Sequence, residues 1–180
     1  DISNFVVVFG NSRVTKSRGF FGIGVYSPRT SENIGTLWRS ALNFGASFMF
    51  TIGARCGFQD QPSNTTKSDR QIPLYVYPSF KEFVNVLPHS TYLIGVEQCE
   101  KSTALETFSH PERAIYLLGS EDKGIPNEVW SYCTGGMVAI DTPKCLNVAT
   151  AGSIVMYDRH LKQKQAEVFE DTCDFHARNT

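Results

Sequence analysis

The sequence predicts an α/β domain with a mostly parallel sheet flanked by helices. Two observations carry this. Apolar strand-like runs are separated by helical stripes, and the first set is strand, helix, strand with short joints, a βαβ unit that implies parallel pairing. The 180 residues, 41% hydrophobic and 19% charged, suit one ordinary folded core.

The elements follow in order. Phe5 to Phe9 is an apolar run, followed by a basic stretch with Arg13, Lys16 and Arg18, together expected to form an N-terminal strand and arm over 1–19. Phe20 to Tyr26 reads as a buried strand stopped at Ser27-Pro28. Ser31-Glu32-Asn33 carry side chains able to cap a helix, and Ile34, Leu37, Trp38, Ala41 and Leu42 follow as a one-sided stripe. Gly45 is placed to end that helix. Ser47 to Ile52 is the next strand, and Gly57 to Arg70 a long polar loop of the length that usually serves function. Pro73 to Tyr77 reads as a short strand and Ser79 to Val86 as a short helix with Phe80, Phe83 and Val84 inward. Tyr92 to Val96 and Ala114 to Gly119 are strongly β-like and bracket a polar connection. Gly136 to Ile140 is a last strand before a turn at Asp141-Thr142-Pro143.

A helix then runs from about Asn147. Val148, Ala149, Ala151, Ile154, Val155 and Met156 cover most of its circumference, so its first half is expected to be buried nearly all round. Beyond Tyr157 the chain turns polar and is expected to reach solvent or a partner subunit, leaving 20–165 as the main domain and 166–180 as a tail.

The formal net charge of −1 makes the whole molecule no electrostatic magnet for nucleic acid; RNA binding would need a local basic patch, or two joined in a dimer. No apolar run approaches the ~18 residues that span a bilayer. The start, from Asp1, lacks the charged head and cleavage site of a secretory signal, and lacks an initiator Met, which fits a chain beginning inside a longer one. Five widely spaced cysteines without a CxxC pair argue for reduced thiols in the cytoplasm rather than a zinc site or a disulfide framework. His89, His110, His160 and His176 are scattered and read as surface or packing residues, so no metal is expected.

Three stretches tie strand ends to polar or glycine residues, where ligands bind in open parallel sheets. In Asn33-Ile34-Gly35-Thr36-Leu37-Trp38-Arg39, helical geometry places Arg39 off the apolar stripe, near the N-terminal half of a helix, a setting suited to phosphate. In Leu117 to Pro126, a strand leaves into two glycines and two carboxylates, which lets backbone approach a ligand closely. In Pro143 to Ser153, Asn147 opens the apolar helix, and Ala149, Ala151 and Gly152 permit close packing of another backbone. Serine hydrolase and P-loop chemistry are excluded, since neither GxSxG nor GxxxxGK[ST] occurs.

In order and spacing these three stretches resemble the signature motifs of the SpoU/TrmH type of RNA methyltransferase, in the SPOUT superfamily, over about residues 20–160. The resemblance implies a SPOUT fold with a deep trefoil knot at its C-terminal end, which would explain why the helix after Asn147 is so apolar. It implies S-adenosyl-L-methionine as cofactor, bound by Val96, Leu118, Gly119, Ile140, Cys145 and Leu146, where many members carry serine in place of Cys145. It implies an RNA substrate, tRNA or rRNA, methylated on a ribose 2′-hydroxyl, and a homodimer with its site near the interface. Arg39 would clamp the phosphate beside the target ribose, because guanidinium hardly deprotonates in proteins and makes a poor base. Glu121 and Asn147 would fix the loops and the arginine through hydrogen bonds, and Asn33 would hold the first turn. The rival readings are a non-catalytic RNA-binding protein retaining the cofactor pocket, and a knotted enzyme of the TrmD-like kind acting on a base nitrogen, whose acidic residues find no good match here.

Overall fold

The computed structural model describes residues 19–57 and 71–177. The expected strand and basic arm before Gly19, and the polar loop apart from its first residue, Gly57, lie outside them. β1 (Phe20–Tyr26), β2 (Phe48–Ile52), β3 (Leu74–Tyr77), β4 (Tyr92–Val96), β5 (Ser102–Ala104), β6 (Arg113–Leu118) and β7 (Met137–Ala139) form one sheet in the order β3-β2-β1-β6-β4-β7-β5. Every pairing in it is parallel. α1 (Ser31–Asn43) and α4 (Val148–Ala177) cover one face; α2 (Phe80–Asn85) and α3 (Asn127–Trp130) cover the other. The mostly parallel α/β fold expected from the sequence is therefore present.

The stripe on α1 does what its spacing predicts: Ile34, Leu37, Trp38 and Ala41 are buried against the sheet. The helix stops in a Schellman arrangement, with the Ala46 N–H donating to the Ala41 carbonyl at 2.9 Å and the Gly45 N–H to the Leu42 carbonyl at 3.2 Å. Gly45 takes φ +77°, a left-handed conformation that costs glycine nothing. The start differs from expectation. Thr30 is the N-cap, in extended conformation without a side-chain cap bond, and Ser31 already belongs to the helix. Asn33 consequently lies inside the first turn, and its side chain is used across the fold. α2 does begin as expected, with the Ser79 hydroxyl accepting from the Glu82 N–H.

The connection between β4 and β6 is more ordered than its polarity suggests. It holds the edge strand β5 and a short 3-10 turn at Leu105–Thr107. Ser102 starts that strand because its hydroxyl donates to the Glu97 carbonyl at 2.6 Å, folding the polar segment back onto the sheet.

α4 corrects another expectation. Val148, Ala149, Gly152, Val155 and Met156 are buried, but Thr150 and Tyr157 are exposed, so one face stays open. Gly152 is the point of closest approach: a Cβ there would collide with Leu37 Cδ1 on α1. Beyond Tyr157 the helix does reach solvent, at His160, Leu161, Lys164 and Gln165, with one exception. Arg159 is 2% exposed, its guanidinium donating to the carbonyls of Pro111 at 2.6 Å and Glu112 at 2.9 Å. The helix continues unbroken past residue 166 to Ala177.

Register decides where chemistry can occur. Val25, Leu118, Val96 and Val138 stand side by side in β1, β6, β4 and β7. The chain therefore leaves the sheet at the same level four times, and the segments after Tyr26, Leu118, Val96 and Ala139 crowd one carboxyl edge.

Candidate active site at the carboxyl edge

Three of the expected site residues meet there directly. The Asn33 Nδ2 donates to Glu121 Oε1 at 2.6 Å, and the Asn147 Nδ2 donates to Asn33 Oδ1 at 2.9 Å. The Asn147 Oδ1 in turn accepts from the Ala149 and Thr150 N–H groups at 2.9 and 3.2 Å, capping α4. One hydrogen-bonded line thus joins the start of α1, the loop after β6 and the start of α4. Glu121 also accepts from the Thr30 hydroxyl at 3.0 Å and the Arg29 N–H at 3.3 Å. Burial pushes its carboxyl up, but the bonds from backbone, Asn33, Thr30 and Arg29 outweigh that and hold it below its ordinary value. Glu121 is an anchoring carboxylate, not a proton donor at neutral pH.

Arg39 is on α1 but past its middle, not in the N-terminal half, eight residues from Ser31. That is about 12 Å of helix rise, beyond the first turn where the helix dipole acts. The side chain is half-buried rather than fully outward. Next to it, the Ser40 hydroxyl donates to the Ser153 oxygen at 2.8 Å, the Ser153 proton going to the Ala149 carbonyl at 2.7 Å, so α4 braces this part of α1.

The loop after β6 is a tight return. Ser120 and Gly124 exchange backbone bonds at 3.0 and 3.3 Å, and a Cβ on Gly119 would collide with the Gly124 backbone and come 2.6 Å from the Ile125 nitrogen. Gly119 is therefore required for the close approach. The Glu97 carboxylate, just past β4, accepts the Ile125 N–H at 2.9 Å and holds the far side of the loop.

Of the expected cofactor residues, Val96 and Leu118 have buried side chains, whereas Gly119 and Ile140 are half-buried and Cys145 and Leu146 exposed. Gln98, which sequence reasoning passed over, ties these segments together. Its Nε2 donates to the Ile140 and Thr142 carbonyls at 3.1 and 2.9 Å, and the Cys145 thiol donates to its Oε1 at 3.7 Å. A cavity of about 330 Å³ opens beside it, lined by Gln98, Ser102, Ala104, Ala139, Ile140 and Asp141.

Arg55 was also missed. It follows β2 and makes a two-pronged bond to Asp122, Nη1 to Oδ2 at 3.0 Å and Nη2 to Oδ1 at 2.6 Å. Nothing local in the sequence marks it, because its partner is 67 residues away. Among the described residues no grouping of His, Cys, Asp and Glu is able to hold a metal ion, and no helix is long and apolar enough to cross a membrane.

Comparison with known proteins gives a consistent picture. The SpoU rRNA Methylase family is matched over residues 21–157. The mouse (Mus musculus) protein tRNA (guanosine(18)-2'-O)-methyltransferase TARBP1 is 29% identical over 142 residues, 73% of this chain and 9% of its own length. The solved SpoU methyltransferase AviRb from Streptomyces viridochromogenes superposes with a TM-score of 0.73 at 23% identity, over 82% of this chain and 61% of its own. A solved structure concerned with 2-OH methylation of C/U34 on tRNA gives 0.70 at 20% identity, over 82% of this chain and 99% of its own. This chain thus spans a small part of the mouse relative and about three fifths of AviRb.

Proposed function

Since the chain belongs to the SpoU rRNA Methylase family, we propose that it transfers a methyl group from S-adenosyl-L-methionine to a ribose 2′-hydroxyl of tRNA or rRNA. The observation that carries the reading is the line Glu121–Asn33–Asn147, which welds the three motif segments into one edge. The relatives' names favour methyl transfer over RNA binding alone: the mouse protein is named a tRNA 2'-O-methyltransferase, and AviRb has been solved in complex with the cofactor AdoMet.

The residues present fit that cofactor. The cavity beside Gln98 is lined by Ala104, Ala139 and Ile140 together with the amide, hydroxyl and carboxylate groups of Gln98, Ser102 and Asp141, and its size is in the range of small-ligand sites. Ile140 is common to this cavity and to the cofactor residues the resemblance implies; in this reading Val96, Leu118, Gly119, Cys145 and Leu146 complete the site. S-adenosyl-L-methionine, when bound, supplies an electrophilic methyl group on a sulfonium.

The protein's own part is alignment. Arg39 clamps the phosphate next to the target ribose and orients the hydroxyl. The hydroxyl proton passes to that phosphate, to water, or to an arginine neutral only transiently, since a guanidinium otherwise stays charged. Asn33, Glu121 and Asn147 hold the loops on which this alignment depends.

The same reading includes a C-terminal knot, a homodimer and a cytoplasmic location. The knot is supported by the family match over residues 21–157. The dimer is supported by Leu146, Tyr157 and Leu161, apolar and 37%, 55% and 39% exposed along the start and open face of α4. The location is supported by free thiols at Cys56, Cys99, Cys133 and Cys145.

Incubation with labelled S-adenosyl-L-methionine and fractionated cellular RNA tests the proposal. The expected product is one nucleotide resistant to alkaline cleavage on its 3′ side, as a blocked 2′-hydroxyl requires. Label on a base, or on no RNA at all, overturns it.

A further inference from the structure

Two adjacent carboxylates of the loop after β6 grip the same β1–α1 turn from different directions. Glu121 takes the Arg29 N–H, the Thr30 hydroxyl and Asn33. Asp122 takes Arg55, and Arg55 reaches on to the Ser27 carbonyl through Nε at 3.2 Å and Nη2 at 2.9 Å. The Arg55 backbone N–H also donates to the Pro28 carbonyl at 3.0 Å. Ser27, at φ +50°, is a non-glycine residue in the left-handed region, a costly conformation that persists only where its surroundings impose it.

The Arg55–Asp122 pair is about one-third exposed, with side-chain exposures of 34% and 31%. Ion pairs so open to water contribute little to folding. What this one has is planar two-pronged geometry, which fixes direction as well as distance. It spans the end of β2, the turn after β1 and the loop after β6, and it sits one residue from the anchor of the Asn33–Asn147 line. Asp122 is held well below the usual carboxylate range by its bond to Arg55, so the pair is intact across neutral and mildly acidic pH.

We propose that Arg55 and Asp122 are positioning residues for methyl transfer: their planar pair sets the angle of the loop carrying Glu121, and through Asn33 the placement of α1 and Arg39. The inference rests on the methyl-transfer reading given above. Neither residue touches the reacting atoms, so loss of the pair lowers turnover while the cavity beside Gln98, whose lining includes neither residue, stays formed. A misplacement of about 1 Å at such a distance costs on the order of 10²-fold in rate.

The test uses the whole chain and four readouts: kcat, KM for RNA, calorimetric affinity for S-adenosyl-L-methionine, and thermal unfolding. Asp122→Asn and Arg55→Ala are each expected to lower kcat by about 10²-fold while cofactor affinity and unfolding temperature stay near wild type. Millimolar guanidinium is expected to restore part of the turnover of Arg55→Ala, and methylammonium at equal ionic strength is not, since only the former reproduces the planar fork. Wild-type turnover in both variants overturns the proposal, and so does a parallel loss of cofactor binding and unfolding temperature, which marks a merely structural pair. A wild-type chain that binds the cofactor and methylates no RNA removes the functional reading itself, and the pair's role with it.

Discussion

Asn147 donates to Asn33 at 2.9 Å across 114 residues of sequence while its own carbonyl oxygen caps α4. One amide therefore does two separable jobs: the oxygen stabilises a helix end, and the nitrogen orients the first turn of α1.

Substitution separates them. Asn147→Asp keeps an acceptor for the Ala149 and Thr150 N–H groups and loses the donor to Asn33. Stability should stay near wild type while methyl transfer falls at least tenfold. Asn147→Ala loses both, and should cost in addition about 1 kcal/mol of unfolding free energy. Denaturant titration beside the transfer assay checks both; an Asp variant as active as wild type would show the Asn147–Asn33 bond to be dispensable.

Arg39→Ala should abolish transfer and leave cofactor affinity largely intact. Arg39→Lys should recover little, because a point charge does not reproduce a forked grip on phosphate. Steady-state kinetics with calorimetry on the same preparations decides this, and full turnover by the Ala variant would end the clamp role.

Gly119→Ala tests the tight loop. The added methyl meets the Gly124 backbone, which is no flexible side chain that swings aside. Overpacking of this kind costs about 1–3 kcal/mol, and the displaced loop should weaken cofactor binding more than tenfold. Unchanged affinity would place the cofactor elsewhere.

His110 should make stability pH-dependent. Arg159 Nη1 donates to the Tyr116 hydroxyl at 3.2 Å, which leaves the phenol proton for His110 Nδ1 at 2.6 Å and the Nε2–H for Asp158 at 2.8 Å. Burial pushes the Tyr116 phenol up to about 12, so it remains a donor. Burial likewise lowers His110 from the ordinary 6.5, against the bond and charge of Asp158 and helped by the charges of Arg159 and Lys162. The unfolded chain then binds a proton more readily than the native one, so stability is full above pH 6.5 and falls as pH drops toward the lowered native value. The slope should approach at most about 1.4 kcal/mol per pH unit for one proton. Denaturant titrations between neutral and mildly acidic pH should show a shallower slope for His110→Gln; equal slopes would exclude this histidine.

Much of the fold was legible from local pattern. The alternation of strand and helix, the stripe on α1 and the glycine stop at Gly45 are all set by neighbours within a few residues, where spacing and propensity act. Composition misled where it stood in for burial. Asp158-Arg159-His160 reads as a solvent face, yet Arg159 is interior because the carbonyls of Pro111 and Glu112 accept its guanidinium. β5 is hidden in a polar run because an edge strand needs only one partner and little apolar surface.

By itself, then, the sequence determined the parallel α/β architecture and the identities of Asn33, Glu121 and Asn147 as residues with a common purpose, since motif order and periodicity are one-dimensional properties. The tertiary structure alone decided that these three share a line of hydrogen bonds, that Gln98 joins β4 to the loop after β7, and that Arg55 meets Asp122. Those pairings depend on four strand ends standing level at one edge of the sheet. Register between parallel strands is set by packing of the whole core, and no local stretch of chain encodes it.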